Sequence, residues 1–99
     1  MIDVGRIVGF DWNWGKARKN EKHRVSQGEA EQVFFDPRLL MVSDSGHSAS
    51  ELRFHALGQT IDGRHLHIAF TLRVSETRIG VISARDMHRK EGASYDRKA

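Results

Sequence analysis

Three features of this 99-residue chain predict an α+β fold. Ser26-Gln27-Gly28-Glu29 has capping-box spacing ahead of an amphipathic stretch, and the hydrophobic period changes to two after Pro37. Leu66, Ile68, Phe70, Leu72 and Val74 then alternate with polar or small residues over a whole strand. The predicted order is strand, helix, helix, a meander of antiparallel strands, then a helix. That order implies an antiparallel sheet of about four strands, two N-terminal helices on one face and a C-terminal helix.

Arg6–Phe10 is short, partly β-branched and bounded by Gly5 and Asp11, which marks an opening strand. Asn13 is an N-cap for a helix to about Lys22; Trp14 and Ala17 give it only a thin apolar stripe, so it belongs at the surface. The second helix begins at the capping box. Val25 and Ala30 have the spacing of a hydrophobic staple, and Ala30, Val33 and Phe34 form the buried face. Asp36-Pro37 ends it, because proline disfavours helical backbone in the residue before it.

Leu39–Val42 reads as a short strand, Ser43–Ser50 as a polar, serine-rich loop and Glu51–Ile61 as an imperfectly alternating strand. Asp62-Gly63 predicts a type I′ hairpin turn, which needs positive φ at both positions. In the strand that follows, one face is core, and the other, with His65, His67, Ala69, Thr71 and Arg73, is polar. Ser75-Glu76-Thr77 turns the chain into Arg78–Ala84, where Ile79, Val81 and Ile82 put apolar groups on both faces, as in an interior strand. A terminal helix covers about Asp86–Tyr95, weakened at Gly92, and Arg97-Lys98-Ala99 frays.

The length fits one domain over residues 1–99. The absence of cysteine excludes a disulfide scaffold, a cysteine-zinc ribbon and a cysteine nucleophile. The longest apolar stretches, near Phe34–Val42 and Leu66–Val74, fall far short of the roughly 20 residues that span a bilayer. The first dozen residues carry no signal-peptide core, so a cytoplasmic protein without membrane attachment is expected. Sixteen Lys and Arg stand against 13 Asp and Glu, a net charge of +3. The basic residues cluster around Lys16–Arg24 and Arg85–Lys98, and such blocks suit a polyanionic partner, although solvated helix faces and a basic tail explain them equally well.

Phe10-Asp11-Trp12-Asn13, Lys16, Asn20, Lys22-His23, Val25-Ser26, Ala30, Phe34 and Asp36-Pro37 are followed in order by Arg53, Gly58, Asp62-Gly63-Arg64, Leu66, Ile82-Ser83-Ala84-Arg85, Arg89, Glu91 and Tyr95. This series resembles the BrnT family of bacterial toxins from about residue 9 to 96. The resemblance implies a RelE-like ribonuclease fold and a type II toxin that cleaves RNA, including mRNA, and inhibits translation. It also implies a hetero-oligomer with a neutralising BrnA-type antitoxin, and contact with operator DNA only through that complex. The chain departs from the pattern at Gly80, where arginine is usual, at Met87, where alanine is common, and at Gln27-Gly28, where an aromatic residue follows the cap. Gly80 motivates the alternative of a non-enzymatic RNA or ribosome binder that acts mainly as antitoxin partner and corepressor.

Cleavage of RNA by its own ribose 2′-hydroxyl needs a base, cations to stabilise charge on the phosphorane, and an acid for the 5′-oxygen. Arginine suits the middle task because its planar fork stays charged and binds phosphate bidentately. Arg85 at the end of the last strand and Arg89 four residues on reach one spot, and Arg64 at the hairpin joins them across the sheet. Surface ion pairing, as of Arg85 with Glu91 or Asp86, is the competing explanation. With these arginines, His23, Glu91 and Tyr95 form the candidate catalytic set; Lys16, Lys19, Lys22, His65, His67 and Arg78 are candidate RNA contacts. His65 and His67 share the non-core strand face, where plain solvent exposure also explains them, and His88 is a further candidate base or acid. Glu91 and Tyr95, one helical turn apart, equally suit capping and packing, so the base stays unassigned. His65-x-His67 has no third ligand in a metal-binding pattern, so neither metal nor cofactor is expected. Trp12, Trp14, Phe34, Phe35, Phe54 and Phe70 fall at core spacings rather than marking base stacking.

Overall fold

The computed structural model describes residues 7, 9–12, 24–44, 53–73 and 78–98. Strands β1 (Gly9–Trp12), β2 (Leu40–Asp44), β3 (Arg53–Gln59), β4 (His65–Arg73) and β5 (Arg78–Asp86) form one sheet, with helix α1 (Gln27–Val33) before β2 and helix α2 (Arg89–Lys98) after β5. The strand order is β1-β5-β4-β3-β2. The expected meander is present as β2 to β5, each antiparallel to the next. The sheet is nevertheless mixed and five-stranded, because β1 runs parallel to β5. The meander alone would leave the apolar strand β5 with an unpaired edge. β1 covers that edge, and Arg78 Nε donates to Asp11 Oδ1 across it at 2.7 Å.

The helix expected between Asn13 and Lys22 lies outside the described residues, so α1 is the one described helix that precedes the meander. The loop at 45–50 and the turn at 75–77 lie outside them too. β1 starts three residues later than expected, β2 extends into the expected loop through Ser43 and Asp44, and α2 covers Arg89–Lys98 instead of about Asp86–Tyr95, taking in Arg97 and Lys98 from the stretch expected to fray.

α1 begins as its sequence dictates. Ser26 Oγ accepts from the Glu29 amide at 3.1 Å and Glu29 Oε1 accepts from the Ser26 amide at 3.0 Å, a complete capping box. Ala30, Val33 and Phe34 are buried with Ala56, Leu66, Ile68, Phe70, Ile79, Val81 and Ala84 from the sheet. Phe34 meets Phe70 edge-on at 5.0 Å between ring centroids, and Phe54 stacks on Phe70 at 5.6 Å. Phe35 departs from the expected aromatic core: it follows the last turn of α1 and is 73% exposed, while Trp14 and the Trp12 side chain lie outside the described residues. With Ile61, Phe35 lines a shallow groove of about 450 Å³.

Gly58 lets α1 approach this closely. A Cβ there would stand 2.8 Å from Val33 Cγ1 and 3.1 Å from the Val33 carbonyl oxygen. Beyond α1, Asp36 Oδ2 accepts from the Gln59 amide at 2.8 Å and from the hydroxyl of the fully buried Tyr95. One carboxylate thus joins the end of α1, the end of β3 and α2. Burial alone would raise the Asp36 carboxyl, but the hydrogen bonds from Tyr95 and from the amides of Arg38 and Gln59 outweigh it and hold the group below its usual value.

The β3–β4 hairpin differs from the expected type I′ turn. Thr60 and Arg64 pair, since the Thr60 amide donates to the Arg64 carbonyl at 2.9 Å, and the Gly63 amide donates to the Thr60 carbonyl at 3.0 Å. Gly63 has φ 88°, whereas Asp62 is not in the left-handed region. This is a three-residue connection, a turn followed by one left-handed residue, and only that residue needs glycine. It fixes the register in which Gln59 faces His65 and Phe54 faces Phe70.

Candidate functional site

The sheet face opposite α1 carries His55 on β3, His65, His67, Ala69 and Thr71 on β4, and Ser83 and Arg85 on β5, as the register of these strands requires. Between β4 and β5 the pairing shifts at Ala69/Phe70, leaving Ile82 as an extra residue next to Ser83. Such a β-bulge re-aims the side chains beside it. The face is not simply polar and solvated as the alternation predicts. His67 is 7% exposed and Thr71 1%, so the middle of β4 is covered on both sides.

Arg85 and Glu91 form the strongest interaction on this face. Arg85 Nη1 donates to Glu91 Oε1 at 2.8 Å and Nη2 to Oε2 at 2.9 Å. Glu91 Oε1 also accepts from the His88 amide at 2.8 Å, capping the first turn of α2. The Arg85 fork, above all, and the His88 amide hold the Glu91 carboxyl down to about 2 despite its partial burial. Glu91 is therefore an anion at neutral pH, an orienting group rather than a proton acceptor.

The remaining geometry of Arg85 suits an oxyanion. Glu91 occupies the guanidinium end-on, and Nη1 also donates to the Asp86 carbonyl at 3.0 Å. Among the described residues nothing accepts from Nε or from the second Nη2 proton. Those two donors form the second fork of a guanidinium and match two oxygens of a phosphate.

His67 pairs with Arg85 across β4 and β5, and its Nε2 lies 3.9 Å from Glu91 Oε2 and 2.8 Å from His55 Nδ1. Burial, reinforced by the Arg85 charge, pushes its ring pKa down to about 4, so His67 is neutral at physiological pH. Its Nδ1 is buried with no hydrogen-bond partner among the described residues. His65 stands further along the strand, taking the Gln59 side-chain amide at Nε2 and meeting the Tyr95 ring edge-on at 5.5 Å.

Of the sequence-predicted site residues, the structure brings together Arg85, Glu91 and His67. Arg89 opens α2 on an exposed position beside them in sequence. Arg64 does not join them. It lies toward α1, where Nε donates to Asp86 Oδ1 at 2.8 Å and Nη1 to the Arg24 carbonyl at 2.7 Å and to Glu29 Oε2 at 3.2 Å. Its neighbours explain this: Asp86 follows Arg85 on β5 and so points to the other face. Tyr95 is buried against Asp36 and His65. Arg78 is paired with Asp11 at the sheet edge. Lys16, Lys19, Lys22 and His23 lie outside the described residues. His55 is absent from the sequence-derived set, although its place in the Arg53–Gln59 strand and the hairpin register together put it next to His67.

Among the described residues no helix is long and apolar enough to cross a membrane. No curated protein matches the chain. Residues 12–91 match a family model described as ribonuclease toxin, BrnT, of type II toxin-antitoxin system, a span from β1 through the Arg85–Glu91 pair. The chain therefore belongs to the BrnT family of ribonuclease toxins, whose type II systems pair each toxin with a cognate antitoxin.

Proposed function

We propose that this chain is a metal-independent endoribonuclease that inhibits translation by cutting RNA, and that the scissile phosphate sits against Arg85 on the sheet face opposite α1. The observation that carries this reading is the half-used guanidinium. Glu91 fixes one fork of Arg85 in place, and the other fork has no acceptor among the described residues. A pre-aimed charged donor pair is what stabilises the extra negative charge of a pentacoordinate phosphorane. In the reaction the ribose 2′-oxygen loses its proton and bonds to phosphorus, the P–O5′ bond breaks, and the 5′-oxygen gains a proton. Arg89 and the basic residues at 16, 19 and 22 extend the contact along the RNA backbone. Arg64 and Tyr95 in this reading hold the scaffold.

A BrnA-type antitoxin neutralises the chain by covering Arg85 or by pairing with the outer edge of β2, the terminal strand of the sheet. Operator DNA is contacted only through that complex. The test is incubation of the purified chain with RNA in EDTA. The expected result is new 5′-hydroxyl ends, with the rate reduced about 100-fold or more by Arg85→Ala. RNA that stays intact, or cleavage that appears only when a divalent cation is added, contradicts the proposal.

A further inference from the structure

We infer that the outer face of α2 carries the RNA strand away from Arg85, with Arg89, Lys90 and Arg97 as its phosphate contacts; this rests on RNA being the ligand of Arg85, as proposed above. Glu91 and Tyr95 fix which way the helix faces. Glu91 reaches Arg85 on β5, and Tyr95 is buried against Asp36 and His65, so this pair marks the inner side of α2. At about 100° per residue, Ala93 points directly away from that pair, and Arg89, Lys90 and Arg97 stand around it. Exposure follows the same division. Arg89, Lys90, Ala93, Asp96 and Arg97 are exposed, whereas Glu91, Gly92 and Ser94 are half-buried and Tyr95 is buried.

Charge sets this face apart from the other arginines. Arg64, Arg78 and Arg85 each hold a carboxylate. Arg89, Lys90 and Arg97 form no ion pair among the described residues, and Asp96 is the one carboxylate that shares their side of α2. Three cations against one anion make a field that attracts a polyanion. Arg89 and Arg97 are eight residues apart in the helix, about 12 Å along its axis, so the face suits a strand and not a lone anion. The middle of the face is low. Ala93 offers only a methyl group, and Ser94 Oγ turns back to donate to the Lys90 carbonyl at 3.1 Å. A sugar–phosphate backbone can therefore lie close against the helix between the cations.

The first turn of α2 ties this face to the reacting phosphate. Glu91 follows Lys90 directly, and its carboxylate is gripped by both terminal nitrogens of Arg85 while it caps the His88 amide. A strand with one phosphate on the second fork of Arg85 thus meets Arg89 and Lys90 at the adjoining turn, and Arg97 about two turns further on. Contacts to phosphates position the strand and carry no base preference. The consequence is a length requirement: the RNA must extend past the scissile phosphate along α2, and a fragment of a few nucleotides loses the added contacts.

The experiment is equilibrium binding of the full chain to uncleavable 2′-O-methyl RNA of about 4 and about 12 nucleotides, between about 50 and 200 mM salt. Each phosphate contact to a single strand contributes about 0.7 to the slope of log affinity against log salt. The double variant Lys90→Gln, Arg97→Gln is therefore expected to lower the slope on the long RNA by about 1.4 and to weaken binding tenfold or more at about 100 mM salt, with a smaller loss on the short RNA. Ala93→Glu, which sets a carboxylate in the middle of the face, is expected to weaken binding of the long RNA in the same direction; if the double variant fails to fold, Ala93→Glu is read by the same criteria. Binding of the long RNA within about twofold of the parent and with an unchanged slope overturns this proposal, as does an equal loss on both lengths. Variants that keep the RNA slope but lose a cognate antitoxin assign the face to that protein and overturn it too. A parent chain that shows the expected slopes but leaves cleavable RNA intact overturns the ribonuclease reading alone, and a parent that binds neither RNA overturns both.

Discussion

Glu91 serves three groups at once: it takes both terminal nitrogens of Arg85, accepts the His88 amide and lies 3.9 Å from His67 Nε2. Its carboxyl is held near 2 and the His67 ring near 4, and both shifts make the fold sensitive to acid. The unfolded chain binds a proton at His67 below about pH 6.5 while the folded chain does not, so stability falls as pH drops from about 6.5 to 4. Glu91 behaves alike at lower pH, its contribution being lost from about pH 4.5 down to 2. Chemical denaturation measured across pH is expected to show a two-stage decline. His67→Gln should remove the upper stage, worth up to about 3 kcal/mol, and Glu91→Gln should flatten the lower one. An upper stage that persists in His67→Gln would assign it to another group.

The same residues show how much of the site was legible. Arg85, Glu91 and His67 stand out in the sequence by type and by their places at a strand end, on a terminal helix and on an alternating strand. His55 does not, and the reason is register. A two-residue turn at Asp62-Gly63 would pair Ile61 with Arg64 and set His55 beside Phe70, on the core face. The observed three-residue connection pairs Gln59 with His65, and that single step puts His55 on the face of His67. Arg64 is the converse case. Its position next to the turn is evident from sequence, but its face depends on Asp86 and Glu29, which come from β5 and α1.

At the scale of elements, α1 has seven residues and cannot be stable alone. It is held by its capping box, by burial of Ala30 and Val33, and by the Asp36 junction with β3 and Tyr95. The capping box is a local pattern, so its start is readable four residues at a time. Its end is not: the helix stops at Val33, well before Pro37, because Phe34 and Asp36 are drawn onto the sheet and the β3 end. Gly58 is the contact point. Gly58→Ala is expected to cost about 1–3 kcal/mol, because the new methyl meets the α1 backbone as well as the Val33 side chain. A melting temperature unchanged by that substitution would mean that α1 shifts without loss.

For the whole molecule, the sequence foresees an α+β fold and a meander of antiparallel strands, since alternation and turn signals are local. The parallel partner β1 is not foreseen, because its pairing with β5 joins residues nearly 70 positions apart and no periodicity encodes it. The net charge of +3 likewise says little about where an anion binds. Arg64 and Arg78 are spent on ion pairs that hold α1 to β5 and β1 to β5, whereas Arg85 keeps one fork turned away from its carboxylate partner. In the proposed function the chemistry lies around Arg85 on the face opposite α1, whereas the α1 face and the β1 edge, where Arg78 pairs with Asp11, are scaffold. Amide chemical-shift mapping of the chain with a 2′-O-methyl RNA, which binds but cannot be cut, tests that division most directly. The account predicts the largest changes at His55, His67, Ser83 and Arg85; changes centred instead on α1 and Arg64 would contradict it.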